Sequence, residues 1–267
     1  MLDFNNVLFR AICAMPELSY RGKPTGGLCG FVKQFFSYIN RYKPSAIVVV
    51  TDQSPYLRNM LYEDYKRFRS RVRDPDKLRT IQLTRQYCSE FLEMVGVSLL
   101  SSEGYEADDW IATICAKYSN SGGVFESIVV VSNDSDLFQI FQYGDHVYLH
   151  RGGGGVGLYG LWEFKRDYPA VHPVSWPQVM ALTGGHNGLP GIKGIGIKRA
   201  IKIVGDGEAI KCYQRDEEFQ QWVRLTMLPF DDTLYNGVEL SEVRFDEDLI
   251  SNHLLKYGIR NIRVSKY

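Results

Sequence analysis

Ala46-Ile47-Val48-Val49-Val50, followed at once by Thr51-Asp52, is continuously apolar and mostly β-branched. That is the pattern of a strand buried on both faces. A second such stretch, Ser127-Ile128-Val129-Val130-Val131, closely precedes Asp134 and Asp136. Between them Leu78, Ile81, Cys88, Phe91, Leu92 and Val95 recur at helical spacing, and so do Ala107, Ile111, Ile114 and Tyr118. Upstream, Leu28, Phe31, Val32, Phe35, Phe36 and Ile39 mark a helix that Thr25 could cap and Lys43-Pro44 ends. Buried strands separated by helices predict an α/β fold with a central, mostly parallel sheet flanked by helices.

After about residue 150 the texture changes. Arg151-Gly152-Gly153-Gly154-Gly155-Val156-Gly157 reads as a loop or an extended hairpin turn, and its glycines would also permit close approach to phosphate. From Val174 onward the pattern is mainly helical, interrupted by a second glycine-rich stretch at 184–196. Two regions are therefore expected, 1–150 and 151–267. Phe219, Trp222, Val223 and Leu225 suggest a packing helix in the tail, which is otherwise silent.

A chain of 267 residues with 45% hydrophobic and 23% charged residues can bury a full core. No apolar run is long enough to span a bilayer, and the N-terminal residues lack the pattern of a signal peptide. The five cysteines (Cys13, Cys29, Cys88, Cys115 and Cys212) are scattered and odd in number. Free thiols in a reducing compartment, hence a cytoplasmic protein, are expected. The net charge of +0 argues neither for nor against nucleic acid, so the placement of charge must decide.

Acids gather where the predicted fold puts strand ends. Asp52 follows one buried strand, Asp134 and Asp136 follow the other, and Asp3 ends a possible short first strand. In open α/β sheets, ligands collect outside the carboxyl ends of the strands. Gly104-Tyr105-Glu106-Ala107-Asp108-Asp109 brings three more acids to a helix start, where the helix dipole favours negative charge. Any one of these acids alone would be read as a helix cap or a solvated loop residue. Four segments converging on one edge would repel one another, and no lysine or arginine adjoins them in sequence. Oxygen-only donors suit Mg²⁺ or Mn²⁺, which can activate water and stabilise charge on a phosphoryl oxygen.

These motifs resemble those of the flap endonuclease/5′-3′ exonuclease family of bacteria and phages, which has a PIN-like nuclease fold. Gly104–Asp109 is similar to its Gly-x-Glu-Ala-Asp-Asp motif, and Ser132-Asn-Asp-Ser-Asp-Leu-Phe-Gln139 to its Asp-x-Asp-Leu-x-Gln segment. Asp3-Phe-Asn-Asn6 resembles its opening motif, and Asp52, Arg58 and Tyr65-Lys66-Arg67 resemble its Asp…Arg…Tyr-Lys stretch. Leu189-Pro-Gly-Ile-Lys-Gly-Ile-Gly-Ile-Lys-Arg-Ala200 resembles its helix–three-turn–helix element, here about 178–205. The five matches run in family order over roughly residues 1–205.

The resemblance implies that Asp3, Asp52, Glu106, Asp108, Asp109, Asp134 and Asp136 line a metal site. It implies that Lys66 contacts the scissile phosphate, Arg58 assists there and Tyr65 stacks near the terminal base. Arg67, Arg69, Arg71 and Arg73 belong to a basic run leading into a helical arch, about 66–100, through which a single strand would thread. Lys193, Gly194, Gly196, Lys198 and Arg199 would meet the DNA backbone at a helix start; a simple packing turn is the alternative.

Two departures matter. Where the family carries Gly-Asp-x-x-Asp-Asn, this chain has Gly184-Gly185-His186-Asn187, so both second-metal aspartates are missing. One firm metal site and a loose second one are expected, with Asn187 or His186 as poorer donors. Only Met1-Leu2 precede Asp3, so the first strand is short or the true start lies upstream. The implied function is a metal-dependent 5′-nuclease, with no membrane partner, acting as a monomer on DNA with a 5′ end, flap or junction, or on an RNA primer. The compact motifs also fit a viral protein working in the host cytoplasm. The alternative is a branched-DNA-binding protein with weakened catalysis; a small PIN-type ribonuclease fits the length and the helix–three-turn–helix match less well.

Overall fold

The elements follow in the order β1 (Leu2–Asp3), α1 (Phe4–Ala14), β2 (Ser19–Tyr20), β3 (Lys23–Pro24), α2 (Gly26–Tyr42), β4 (Val49–Val50), α3 (Arg58–Leu61), α4 (Pro75–Met94), β5 (Leu99–Leu100) and α5 (Ala107–Ser119). Then come β6 (Ile128–Val131), a 3₁₀ helix Asp136–Tyr143, β7 (Val147–His150), β8 (Leu158–Tyr159), α6 (Leu161–Asp167), α7 (Trp176–Thr183), α8 (Ile197–Gly205), α9 (Lys211–Gln214), α10 (Glu217–Thr226) and α11 (Glu247–Leu255). They are those of a computed structural model, which describes residues 1–67, 74–119, 125–152, 157–185, 187–236, 240, 245–260 and 262. The chain forms two compact units: Met1–Thr51 with Val72–Leu100 and Glu239–Tyr267, and Asp52–Arg71 with Ser101–Val238.

In the first unit β4 pairs in parallel with both β1 and β5, with Asp3 opposite Val50 and Val50 opposite Leu100. The all-apolar stretch 47–50 is buried throughout, as its composition requires. Asp3 is the N-cap of α1 and accepts from the Asn6 N–H at 3.0 Å. Asp74 caps α4, with Pro75 in the first turn where its missing N–H costs nothing. The faces of α2 and α4 that carry the periodic apolar residues meet, Phe35 packing edge-on to Phe91 at 5.6 Å, and α1 joins them through Phe4, edge-on to Phe31 at 5.5 Å. Each such ring contributes about 1.5–3 kcal/mol by burial. Lys43 ends α2 in the left-handed conformation, before Pro44, as expected. Thr25 does stand at the N-cap of α2, but its side chain makes no capping bond there.

In the second unit β6 and β7 are parallel and β7 and β8 antiparallel, with His150 opposite Leu158. The glycine-rich stretch after Arg151 therefore joins a hairpin, although 153–156 fall outside the described residues. Phe138, Tyr159, Phe164 and Trp176 form its aromatic core, with Phe138 5.1 Å from Trp176. The tail helix expected around Phe219 and Trp222 is α10; Asp216 caps it, and Phe219, Trp222 and Leu225 are buried. No helix among the described residues is long and apolar enough to cross a membrane.

Candidate active site

The second unit brings together the segment after β4 and the start of α5. Asp52 Oδ1 accepts from the Ala107 N–H at 2.8 Å, holding the helix start against residues 52–58. Asp109, one turn into α5 and wholly buried, receives both outer nitrogens of Arg58 at 2.7 and 2.8 Å. Its two oxygens also accept the Glu106 and Phe230 N–H groups, at 3.0 and 2.9 Å. Arg58 is only 1% exposed, and its remaining donors reach the carbonyls of Leu225 and Met227 at 2.9 and 3.0 Å. Burial by itself would lower the Arg58 pKa, but the Asp109 hydrogen bonds and the charges of Asp109 and Glu106 together raise it above the ordinary arginine value.

Glu106 lies just before α5 and is buried. Its Oε2 accepts from the Tyr65 hydroxyl at 3.1 Å and lies 3.5 Å from Arg58 Nη1. Its Oε1 lies 2.6 Å from the Lys66 ammonium, an ion-pair distance that lacks hydrogen-bond alignment. Lys66 has the left-handed φ of 54°, and its own N–H donates to the Asn187 carbonyl at 2.8 Å. Its ammonium sits over the ring of Tyr56, 5.0 Å from the centroid, and 5.7 Å from that of Tyr65. Burial, and next the Glu106 charge, push the Tyr65 phenol well above its ordinary value, so it remains a donor to Glu106.

After β6, Asp134 Oδ1 accepts from the Asp136 N–H at 3.0 Å, and Asp136 Oδ2 accepts from the Asn187 amide at 3.3 Å. Asp136 and Asn187 share a cavity of about 180 Å³ with Ser135, Trp176 and Thr183. Asp108 is half-buried in the first turn of α5. Asp3 belongs to the first unit.

Several of the expected site residues have definite partners in the structure. Asp109 and two carbonyls use four of the five Arg58 N–H donors, Nη1 also stands 3.5 Å from Glu106, and the side chain is buried, so Arg58 presents no open face to a phosphate. Tyr65 is only 2% exposed, so it has no open face for a base. Asp109 has both oxygens committed to protein donors. The acids are not without cations either: Arg58 and Lys66, distant in the motif pattern, neutralise Asp109 and Glu106. Among the described residues, no three His, Cys, Asp or Glu side chains stand close enough to hold a metal ion. The donors nevertheless suit a hard divalent cation: they are oxygens, and Glu106 Oε1 and Asn187 Oδ1 are buried without hydrogen-bond partners. Such an ion would take its oxygen ligands from Glu106, Asp134 and Asp136.

Arg67 is exposed and paired with Asp64 at 2.7 Å; Arg69, Arg71, Arg73 and His186 lie outside the described residues. Between α7 and α8, Gly184, Gly188, Gly191 and Gly194 all have positive φ, and a Cβ on Gly191 would meet the Gly184 nitrogen at 2.3 Å. The turns thus require glycine. They leave Lys193, Gly194, Gly196, Lys198 and Arg199 exposed at the start of α8. Sequence reasoning missed Tyr56, whose hydroxyl lies 3.5 Å from Asp52, and the carbonyls at the end of α10 that hold Arg58. The aromatic residue four positions past Asp52 was the available signal for the first; a backbone carbonyl has none.

The model of the 5′-3′ exonuclease N-terminal resolvase-like domain matches residues 1–165. A 5′-3′ exonuclease of Aquifex aeolicus is 32% identical over 225 residues, covering 83% of this chain and 74% of that protein. The thermostable DNA polymerase I of Thermus aquaticus is 28% identical over 92% of this chain, which spans only 28% of the polymerase. Among solved structures, T5 5′-exonuclease with bound zinc superposes with a TM-score of 0.70 at 18% identity, covering 96% of each chain. That likeness establishes the fold: mixed α/β, with a mostly parallel sheet flanked by helices.

Proposed function

This chain belongs to the flap endonuclease/5′-3′ exonuclease family and is a phosphodiester hydrolase of that class; from that premise we propose that it cleaves DNA near a free 5′ end or flap, using Mg²⁺ or Mn²⁺. The Glu106–Lys66 pair at the start of α5 carries the reading. It sets a compact positive charge, suited to phosphate oxygens, beside a buried carboxylate suited to a hard cation. When bound, such an ion supplies an activated water and charge stabilisation at the phosphoryl group.

The protein's own groups do the rest. Lys66 steadies the scissile phosphate. Tyr65 and Arg58 act through Glu106 and Asp109, fixing the orientation of the start of α5. Asp52, Asp134 and Asp136 complete the anionic side, with Asp3 and Asp108 as further candidates. With Gly184-Gly185-His186-Asn187 in place of the segment that carries the second-metal aspartates, a second ion is held loosely. The open start of α8, with Lys193, Lys198 and Arg199, grips the duplex backbone without reading its sequence. Arg67, with Arg69, Arg71 and Arg73, which lie outside the described residues, would guide the single strand, as the resemblance implies for an arch over about 66–100. Residues 1–150 thus carry the chemistry and 151–267 the duplex grip. The proposal takes the chain as a monomer, and its free cysteines suit a reducing compartment such as the cytoplasm. RNA primers are accepted if a ribose fits the same track. No observation favours the non-cleaving DNA-binding alternative.

The test is cleavage of a labelled 5′-flap duplex in Mg²⁺ and in Mn²⁺, beside Asp134→Ala. Metal-dependent cleavage lost in the variant is expected. Tight binding with no cleavage in either metal would refute the proposal.

A further inference from the structure

We infer that the Lys66 ammonium stands in for the metal ion at Glu106, so that the Lys66–Glu106 pair and a loaded ion exclude one another. The inference rests on the nuclease reading above. Two buried carboxylates face the two cations, but they are held differently. Asp109 accepts four hydrogen bonds from Arg58 and two backbone N–H groups, which leaves its oxygens no room for exchange. Glu106 is anchored through Oε2 alone, by Tyr65 and Arg58. Its Oε1 is buried, has no aligned hydrogen-bond donor, and meets only the ammonium at 2.6 Å.

A hard cation binding Oε1 would sit about 2.0–2.1 Å from it. Two positive charges that close to one carboxylate oxygen repel strongly where both side chains are nearly buried. The lysine must therefore leave when the ion arrives. Its backbone is pinned by the Asn187 carbonyl in a left-handed conformation, so the swing is confined to the side chain. The aromatic faces of Tyr56 and Tyr65 flank the ammonium on its way out. Loading of the cofactor thereby frees the group that receives the phosphate, and the protein without metal keeps a buried carboxylate neutralised.

The experiment titrates Mn²⁺ into the full chain by calorimetry, without DNA, comparing wild type with Lys66→Met. The variant should bind Mn²⁺ at least tenfold more tightly, which is about 1.4 kcal/mol. Equal or weaker binding by the variant, with wild type titrating normally, overturns the inference and leaves the nuclease reading standing. No binding by either protein overturns both. In wild type, labelling of the Lys66 amine followed by mass spectrometry should speed up when Mn²⁺ is added. An unchanged labelling rate overturns the inference even if Lys66→Met fails to fold.

Discussion

Replacing Arg58 by methionine strips four hydrogen bonds from the interior of the second unit at once. Asp109, wholly buried, would lose both guanidinium contacts and keep only the Glu106 and Phe230 N–H groups. The Leu225 and Met227 carbonyls would lose their donor as well. Breaking a buried ion pair by removing one partner costs about 3–5 kcal/mol, because the remaining charge is left uncompensated. Two orphaned carbonyls put the expected loss toward the upper end of that range. Urea denaturation followed by circular dichroism measures it. Arg58→Met combined with Asp109→Leu should recover much of the loss, since an apolar pair replaces a charged one at similar volume. A loss below about 1 kcal/mol for the single variant, or a double variant as damaged as the sum of the two singles, would refute the claim that this pair is a structural clamp.

Two further outcomes follow from the same geometry. Gly191→Ala should lower stability and weaken duplex binding, because the left-handed φ of 67° and a contact of 2.3 Å to the Gly184 nitrogen both oppose a side chain. Gly194→Ala, at φ 82° with no atom within 4 Å, should lose only the conformational part, about 1–2 kcal/mol; equal effects from the two substitutions would contradict the turn geometry. In alkali, burial pushes the Tyr143 phenol up to about 12, above its ordinary value of 10.0. The folded state therefore resists ionisation that the unfolded chain accepts, so this stability is intact below pH 10 and lost as pH rises toward 12. Urea midpoints measured across that window should fall less steeply in Tyr143→Phe, and an unchanged slope would remove Tyr143 from the account.

The strands and helices were legible because their apolar residues keep period. Ile47 to Val50 are buried as a continuous run, Ile128, Val130 and Val131 are buried with Val129 only half-buried between them, and Phe31, Phe35 and Ile39 line one buried face of α2. The gathering of Asp52, Glu106 and Lys66 was legible through motif order alone. What each side chain touches was not. Arg58 and Tyr65 occupy motif positions suited to a phosphate and a base, yet both are interior groups whose partners come from around the start of α5 and the end of α10. Those partners include carbonyls of Leu225 and Met227, which any residue would supply, so no residue type advertises them. The expectation that acids at the strand ends require a metal overlooked a second solution, in which cations placed 40 or more positions away in the chain neutralise Glu106 and Asp109.

The most direct test of the central claim is the single-turnover rate of cleavage of a 5′-flap duplex in Mg²⁺ by wild type and by Lys66→Met, with duplex affinity measured alongside. A phosphate-stabilising group in a site shielded from water contributes about 10²–10³-fold. The account predicts a loss of that order with near-normal duplex binding. Cleavage by Lys66→Met at the wild-type rate would contradict it.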